Sequence, residues 1–403
     1  MVKVDASRFY GEYHGHLVEH LEVLLPALRE STQNQSTSCS TGPESSSSSE
    51  NAPLIWTAGD SSLDNKYWFH DHRTAVGAYR DILDPPSMNA DVTYWLNRLA
   101  IDRATAARIN SNSNSNSSSS SSNNSTNKNT HMATINTAIE ATTIQQRTWK
   151  LLAQDAFLRD NIHPGDTLIV SIGGNDVANA PTPCTIASML CMVKAPQYCL
   201  EGPHIPCTCW KPPCNEHCWG CGPVSILACC TSMPPCLGYI NHLFGTRTQH
   251  YIEALTAKTK PKRILVCMIY YLDETPTPSW AGTALKCLGY DDDPERLQYL
   301  IRKFYVEATS KIQIQAGGNT NTTVIPVPLF DVLDGKTSGD YVSRVEPSSQ
   351  GGKKMAEYLL DIIERDELRQ QQNQQPHNSY HQSTHPTLTG SGPVESSYML
   401  DRS

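Results

Sequence analysis

The chain has 403 residues, with 32 basic and 40 acidic side chains, a formal charge of -8, and neither sign gathered into a long block. That balance disfavours nucleic-acid binding, which leaves a basic stripe or patch as its electrostatic footprint. Nowhere do eighteen apolar residues follow one another, so no membrane-spanning helix is expected.

Residues 1–30 lack the basic start and short apolar run of a secretory signal. Leu17, Leu21, Leu24, Leu25 and Leu28 are instead spaced like one face of a helix. An N-terminal helical segment and an intracellular, cytoplasmic location are the expectations. Residues 31–50, 110–130 and 367–403 are dominated by Ser, Asn, Gln and Thr. Such tracts bury too little apolar surface to offset the entropy of ordering, so they read as a linker, an insert and a tail without fixed structure. One catalytic-sized domain, residues 51–366, remains.

Within it, five short runs rich in Val, Ile and Leu read as buried strands: 53–58, 132–136, 166–172, 263–270 and 323–329. Helical spacing separates most of them, at 145–160, 237–258 and 294–315, and a helix over 353–364 closes the ordered part. Strands alternating with helices imply a parallel sheet covered on both faces, with ligands gathering outside the carboxyl ends of the strands. Polar clusters stand at two of those ends. The first run leads into Gly59-Asp60-Ser61-Ser62-Leu63-Asp64, and the third leads into Gly173-Gly174-Asn175-Asp176. A glycine at a strand end lets the backbone turn sharply and present the next side chain. The plainer alternative is that Ser61 and Asn175 cap helices.

These two blocks, in this order and after these strands, resemble the SGNH/GDSL hydrolase family, with Asp64 at the family's trailing acid position. Residues 135–143 resemble its strand-to-loop segment, with Ala141 where the family has glycine. The resemblance covers roughly residues 52–364. It implies an α/β fold: a three-layer α/β/α, flavodoxin-like five-stranded parallel sheet, with a Cys-rich insert after the third strand. The implied activity is that of an esterase or lipase acting on a small-molecule ester through an acyl-serine intermediate, with no cofactor required for catalysis. Ser61 is the implied nucleophile. The N–H groups of Ser61 and Ala141 and the side-chain amide of Asn175 are the implied oxyanion donors. Gly59, Asp60, Asp64, Gly173, Gly174 and Asp176 are the supporting residues.

The chain departs from the pattern at the base. Where the family has Asp-x-x-His-Pro before the last helix, this sequence has Ser343-Arg344-Val345-Glu346-Pro347, placing Glu346 at the histidine position. A carboxylate can accept the serine proton, and burial would raise its basicity. A literal Asp160-Asn161-Ile162-His163-Pro164 string leads into the third strand, so it is expected at the opposite end of the sheet. His70 and His72 are alternative bases. Because the histidine is missing, a second reading is an inactive relative that binds an acyl or glycan ligand without turnover.

Eleven of the 14 cysteines fall between Cys184 and Cys236. Cys207, Cys209, Cys214, Cys218 and Cys221, beside His217, offer enough ligands for a structural zinc, but only Cys218 and Cys221 have knuckle spacing. Zinc, free thiols and disulfides all stay open, and a zinc-dependent interaction module is a third functional reading.

Overall fold

In this computed structural model the described residues are 2–37, 52–68, 70–114, 132–178, 189–190, 192–194, 237–314 and 322–374. Five parallel strands form the central sheet: β1 (Leu54–Gly59), β2 (Ala133–Asn136), β3 (Thr167–Ser171), β4 (Arg263–Met268) and β5 (Thr323–Pro328). Their order is β2-β1-β3-β4-β5, the arrangement of flavodoxin-like doubly wound sheets. All five coincide with the apolar runs in the sequence. Every residue of β1 to β4 is buried, as expected where helices cover both faces of a parallel sheet. The outer strand β5 is only half-buried and contains Pro326 and Pro328, which an edge tolerates because one side of its ladder is unpaired.

The helices used below are α1 (Val18–Thr37), α2 (Val92–Asn114), α3 (Ala153–Asn161), α4 (Thr248–Leu255), α5 (Pro294–Glu307) and α6 (Ser349–Gln374). In α5 a proline opens the first turn, and Leu297, Leu300, Ile301 and Phe304 are buried at helical spacing. Two groups of helices form. Trp95 and Arg103 of α2 meet α6, the indole N–H donating to Ser349 Oγ at 3.2 Å and Arg103 pairing with Asp361 at 2.8 Å. On the other side, Tyr251 of α4 donates to Asp155 of α3 at 2.6 Å, and Arg29 of α1 donates to the Asn161 carbonyl at 3.3 Å. Right-handed crossovers put these groups on opposite faces of the sheet.

Residues 1–361 form one unit, and 362–403 form a second whose described part is the end of α6. The leading segment therefore packs with the sheet. Leu21, Leu24 and Leu28 are buried, and Arg29 forks onto Asp166 at 2.6 and 2.7 Å. Three helices also run on into the low-complexity tracts. α1 continues through 31–37, α2 through 110–114 and α6 through 367–374, all in tracts read as lacking fixed structure. Extending a nucleated helix costs little, so weak formers such as Ser and Asn continue it for a turn or two. The helical run expected over 145–160 is instead split into a short turn, Gln145–Arg147, and α3.

Candidate functional site

Gly59 and Ser171 are register partners at the carboxyl ends of β1 and β3, so the two polar blocks leave the sheet side by side. Gly59 has φ of 129°, and a Cβ there would lie 1.8 Å from the Ser171 carbonyl oxygen, so no larger residue fits. Asp60 ties the blocks together. Its Oδ1 accepts from the Ser62 N–H at 3.1 Å and the Ser62 hydroxyl at 2.8 Å, while its Oδ2 accepts from the Gly173 N–H at 3.1 Å. Burial raises the Asp60 carboxyl, against the pull of these hydrogen bonds. A Cβ on Gly173 (φ 109°) would meet Phe244 at 2.8 Å. That ring sits on a π-helical turn, Leu243–Arg247, just ahead of α4.

Ser61 and Glu346 meet at this edge. The Ser61 hydroxyl donates to Glu346 Oε1 at 3.0 Å, and both residues are almost fully buried. Glu346–Pro347 is extended and pairs antiparallel with Tyr341–Val342 across a turn in which Ser343 and Arg344 have φ of 51° and 71°. The loop is held from three sides. Arg344 donates to the Asp273 carbonyl at 3.2 and 3.1 Å and pairs with Asp291 at 2.8 Å; Tyr270 donates to the Val345 carbonyl at 2.8 Å; Asn65 donates to the Pro347 carbonyl at 2.6 Å. Burial pushes the Glu346 carboxyl up to about 8, with help from the charges of Asp60, Glu140 and Asp64 and against the Ser61 hydrogen bond. Its Oε2 is buried with no partner among the described residues.

The segment after β2 supplies the third side. Ala141 has φ of 56°, in the left-handed region that glycine favours. Asn175 donates through Nδ2 to the Thr142 carbonyl at 3.1 Å, bringing its amide beside Ala141. Gly174, Asn175 and Asp176 lie in the short helix Gly174–Ala178. Asp176 accepts from the backbone N–H groups of Ile144 and Gln145 at 2.8 and 3.3 Å, and burial raises its carboxyl to about 6.

Arg147, which the sequence did not single out, binds this segment to β1. Its guanidinium donates to the Gly59 carbonyl at 3.0 Å, the Thr142 hydroxyl at 2.8 Å and the Thr143 carbonyl at 3.0 Å, and pairs with buried Asp155 at 2.9 Å. In sequence it looks like one more residue of an amphipathic helix, and nothing local marks it as buried.

A second missed group is a buried cation between two carboxylates. Lys66 Nζ donates to Asp64 at 2.8 and 2.7 Å and to Glu140 Oε2 at 3.2 Å, and the Glu140 N–H donates to Asp64 Oδ2 at 3.1 Å. Burial opposes charge on Lys66, but the two carboxylates outweigh it and hold its ammonium above its ordinary value. Burial and the Asp64 charge raise the Glu140 carboxyl. The N-terminal segment reaches the same place. His14 Nδ1 donates to the Glu140 carbonyl at 3.3 Å, and Tyr13, beside it, is raised by burial and then by Glu140, Tyr67 and Glu346. The nearest sequence signal is the Asp64-x-Lys66 spacing.

His70 and His72 are exposed; they line a cavity of about 350 Å³ together with Tyr10, Tyr67 and Asn89. The Asp160-to-Pro164 string lies before β3, at the amino end of the sheet, where the His163 N–H donates to Asp166 Oδ2 at 2.9 Å. Cys207, Cys209, Cys214, Cys218 and Cys221 lie outside the described residues. Among the described residues, no group of three His, Cys, Asp or Glu side chains is placed to hold a metal ion, and no helix is long and apolar enough to cross a membrane.

No protein-family model matches the chain, and no curated protein matches its sequence. Among solved structures, the chain is similar to a protein from Streptococcus pneumonia provisionally described as a platelet activating factor. The identity is 12%, over 86% of this chain and 97% of that one, with a TM-score of 0.33.

Proposed function

We propose that this chain is an SGNH-type serine hydrolase that cleaves carboxylic esters through an acyl-serine intermediate. The observation that carries the reading is the buried hydrogen bond of 3.0 Å from the Ser61 hydroxyl to Glu346 Oε1. A carboxylate in water is a poor base at neutral pH, but one raised to about 8 by burial is basic enough to take a serine proton.

Glu346 accepts the Ser61 proton as Oγ attacks the ester carbonyl carbon. The carbonyl oxygen gains negative charge, which is received by the N–H groups of Ser61 and Ala141 and by the Asn175 amide. An amide nitrogen carries two hydrogens, and Asn175 uses one on the Thr142 carbonyl, keeping the other for the oxyanion. As the tetrahedral adduct collapses, Glu346 returns the proton to the departing alkoxide. Water then attacks the acyl-serine, with Glu346 again as base and Ser61 as leaving group. Loss of one oxyanion donor typically costs about 3 kcal/mol of transition-state stabilisation.

The test is labelling with a fluorophosphonate probe, followed by p-nitrophenyl esters of increasing chain length. Labelling of the natural chain and of Ser62→Ala, absent in Ser61→Ala, supports the reading. A natural chain that resists the probe overturns it in favour of an inactive ligand-binding relative.

A further inference from the structure

Glu140 immediately precedes Ala141, and it is held at three points. Its N–H donates to Asp64 Oδ2 at 3.1 Å, its side chain accepts from Lys66 Nζ at 3.2 Å, and its carbonyl accepts from His14 Nδ1 at 3.3 Å. That carbonyl and the Ala141 N–H belong to one rigid peptide plane, so fixing Glu140 fixes the direction in which the Ala141 N–H points. The backbone turns sharply there, with Ala141 at φ of 56°, and such a conformation persists only where its surroundings over-determine it.

The Lys66 ammonium lies at the centre of these ties. Lys66, Asp64 and Glu140 have fully buried side chains, and Lys66 also donates to both Asp64 oxygens, at 2.8 and 2.7 Å. Asp64 Oδ1 accepts in addition from Asn136 at 2.9 Å, and Asn136 Oδ1 accepts from the Ala138 N–H at 3.0 Å. The cluster thus grips the segment from the end of β2 to the residue before Ala141. Asn65, between Asp64 and Lys66 in sequence, donates to the Pro347 carbonyl at 2.6 Å, in the loop that carries Glu346. One short stretch of chain therefore holds both the loop of the proposed base and the loop of a proposed oxyanion donor.

We infer that Lys66 and Glu140 are positioning residues for the proposed hydrolysis, their buried ion pair aiming the Ala141 N–H at the oxyanion. This inference rests on the hydrolase reading of Ser61 and Ala141. Stability alone is a poor account of the cluster. Desolvating three charges is costly, and well-packed apolar residues of similar volume often serve a fold equally well. What apolar residues cannot do is hold a polar peptide in one orientation, and the ties of this cluster converge on the peptide beside Ala141. Both side chains act through that peptide and not by touching substrate.

The test is steady-state turnover of a p-nitrophenyl ester by the full chain, with the fold of each variant checked by circular dichroism and a melting curve. Glu140→Ala and Lys66→Met should each lower kcat about a hundredfold with KM within about twofold of the natural value, because a misaimed donor weakens the transition state more than the ground state. The double variant should be about as slow as either single one, since the two residues act as a unit. Glu140→Gln keeps an acceptor for the ammonium and should recover about tenfold of the loss seen in Glu140→Ala. The Glu140 variants decide the matter even where Lys66→Met does not fold. A folded Glu140→Ala chain that keeps its kcat, a loss confined to KM, or a Gln variant as slow as the Ala variant overturns the positioning role, as do losses that multiply in the double variant. In each of those cases the natural chain still turns over the ester, and the hydrolase reading stands. A natural chain that resists both the ester and the fluorophosphonate probe removes the hydrolase reading itself, and the positioning role with it.

Discussion

The Ser61 hydroxyl donates to Glu346 Oε1 at 3.0 Å, across a sequence separation of 285 residues. Because the partner is a carboxyl raised to about 8 by burial, its ionised, proton-accepting form dominates only above that pH. The kcat/KM of the proposed hydrolase should therefore climb through neutral pH and level off above about 8. An unperturbed histidine base would bring the plateau down to roughly pH 7. Glu346→Gln should lower kcat by about a thousandfold. A pH–rate profile already flat from about pH 6 upward, or a Gln variant of near-normal rate, excludes Glu346 as base.

Stability should run the other way. The folded state holds Glu346 protonated until about pH 8, whereas the unfolded chain releases the proton near its ordinary value, 4.5. Stability is thus fully present below about 4.5 and is lost as pH rises toward 8. The loss is on the order of a few kcal/mol, since one pKa unit corresponds to about 1.4 kcal/mol. Glu346→Gln removes the titration. Its melting temperature should match the natural chain's near pH 4.5 and exceed it at pH 8.5; equal melting temperatures at both would mean that the carboxyl is not strained by burial.

Arg147 holds the Gly59 carbonyl, the Thr142 hydroxyl and the Thr143 carbonyl at once, spanning β1 and the loop that carries Ala141. Lysine keeps the charge but cannot reproduce the planar fork. Arg147→Lys should lower kcat about tenfold or more through a loosened oxyanion loop, with KM changed little. Arg147→Met should also destabilise the fold by about 3 kcal/mol, because it strands the buried Asp155 carboxylate. If Arg147→Lys changes only KM, the residue acts on substrate binding and not on the loop.

The contrast between these residues explains what the sequence makes legible. Strands β1 to β4 are short, mostly apolar runs buried on both faces, and half-buried β5 still carries Val324, Ile325 and Val327, so their positions show locally, as do the polar blocks that follow β1 and β3. Glu346 is legible only through its place after β5 and before a proline. Lys66 and Glu140, 74 positions apart, and His14 and Glu140, 126 apart, meet through tertiary packing that no local pattern encodes. The ends of α1, α2 and α6 are illegible for a different reason. Ser, Asn and Gln neither favour nor strongly oppose one more helical turn, so composition cannot mark where the helix stops.

Ala141 offers a test of the loop itself. Its φ of 56° lies where an L-residue carries roughly 1 kcal/mol of strain, yet alanine retains the backbone N–H that an oxyanion would need. Glycine would relieve the strain while adding about 0.5–1 kcal/mol of unfolded-chain entropy, so the two effects nearly cancel. Ala141→Gly should fold with its stability changed by less than about 1 kcal/mol and keep its kcat. Valine is different, because a β-branched side chain at positive φ is a true outlier and forces the peptide toward another conformation. Ala141→Val should therefore lower kcat by about a hundredfold while leaving KM close to normal, since a misplaced N–H weakens the transition state more than the ground state. A folded valine variant, verified by its circular dichroism spectrum and melting curve, that retains full kcat would remove Ala141 from the oxyanion site and leave Ser61 and Asn175 as the proposed donors.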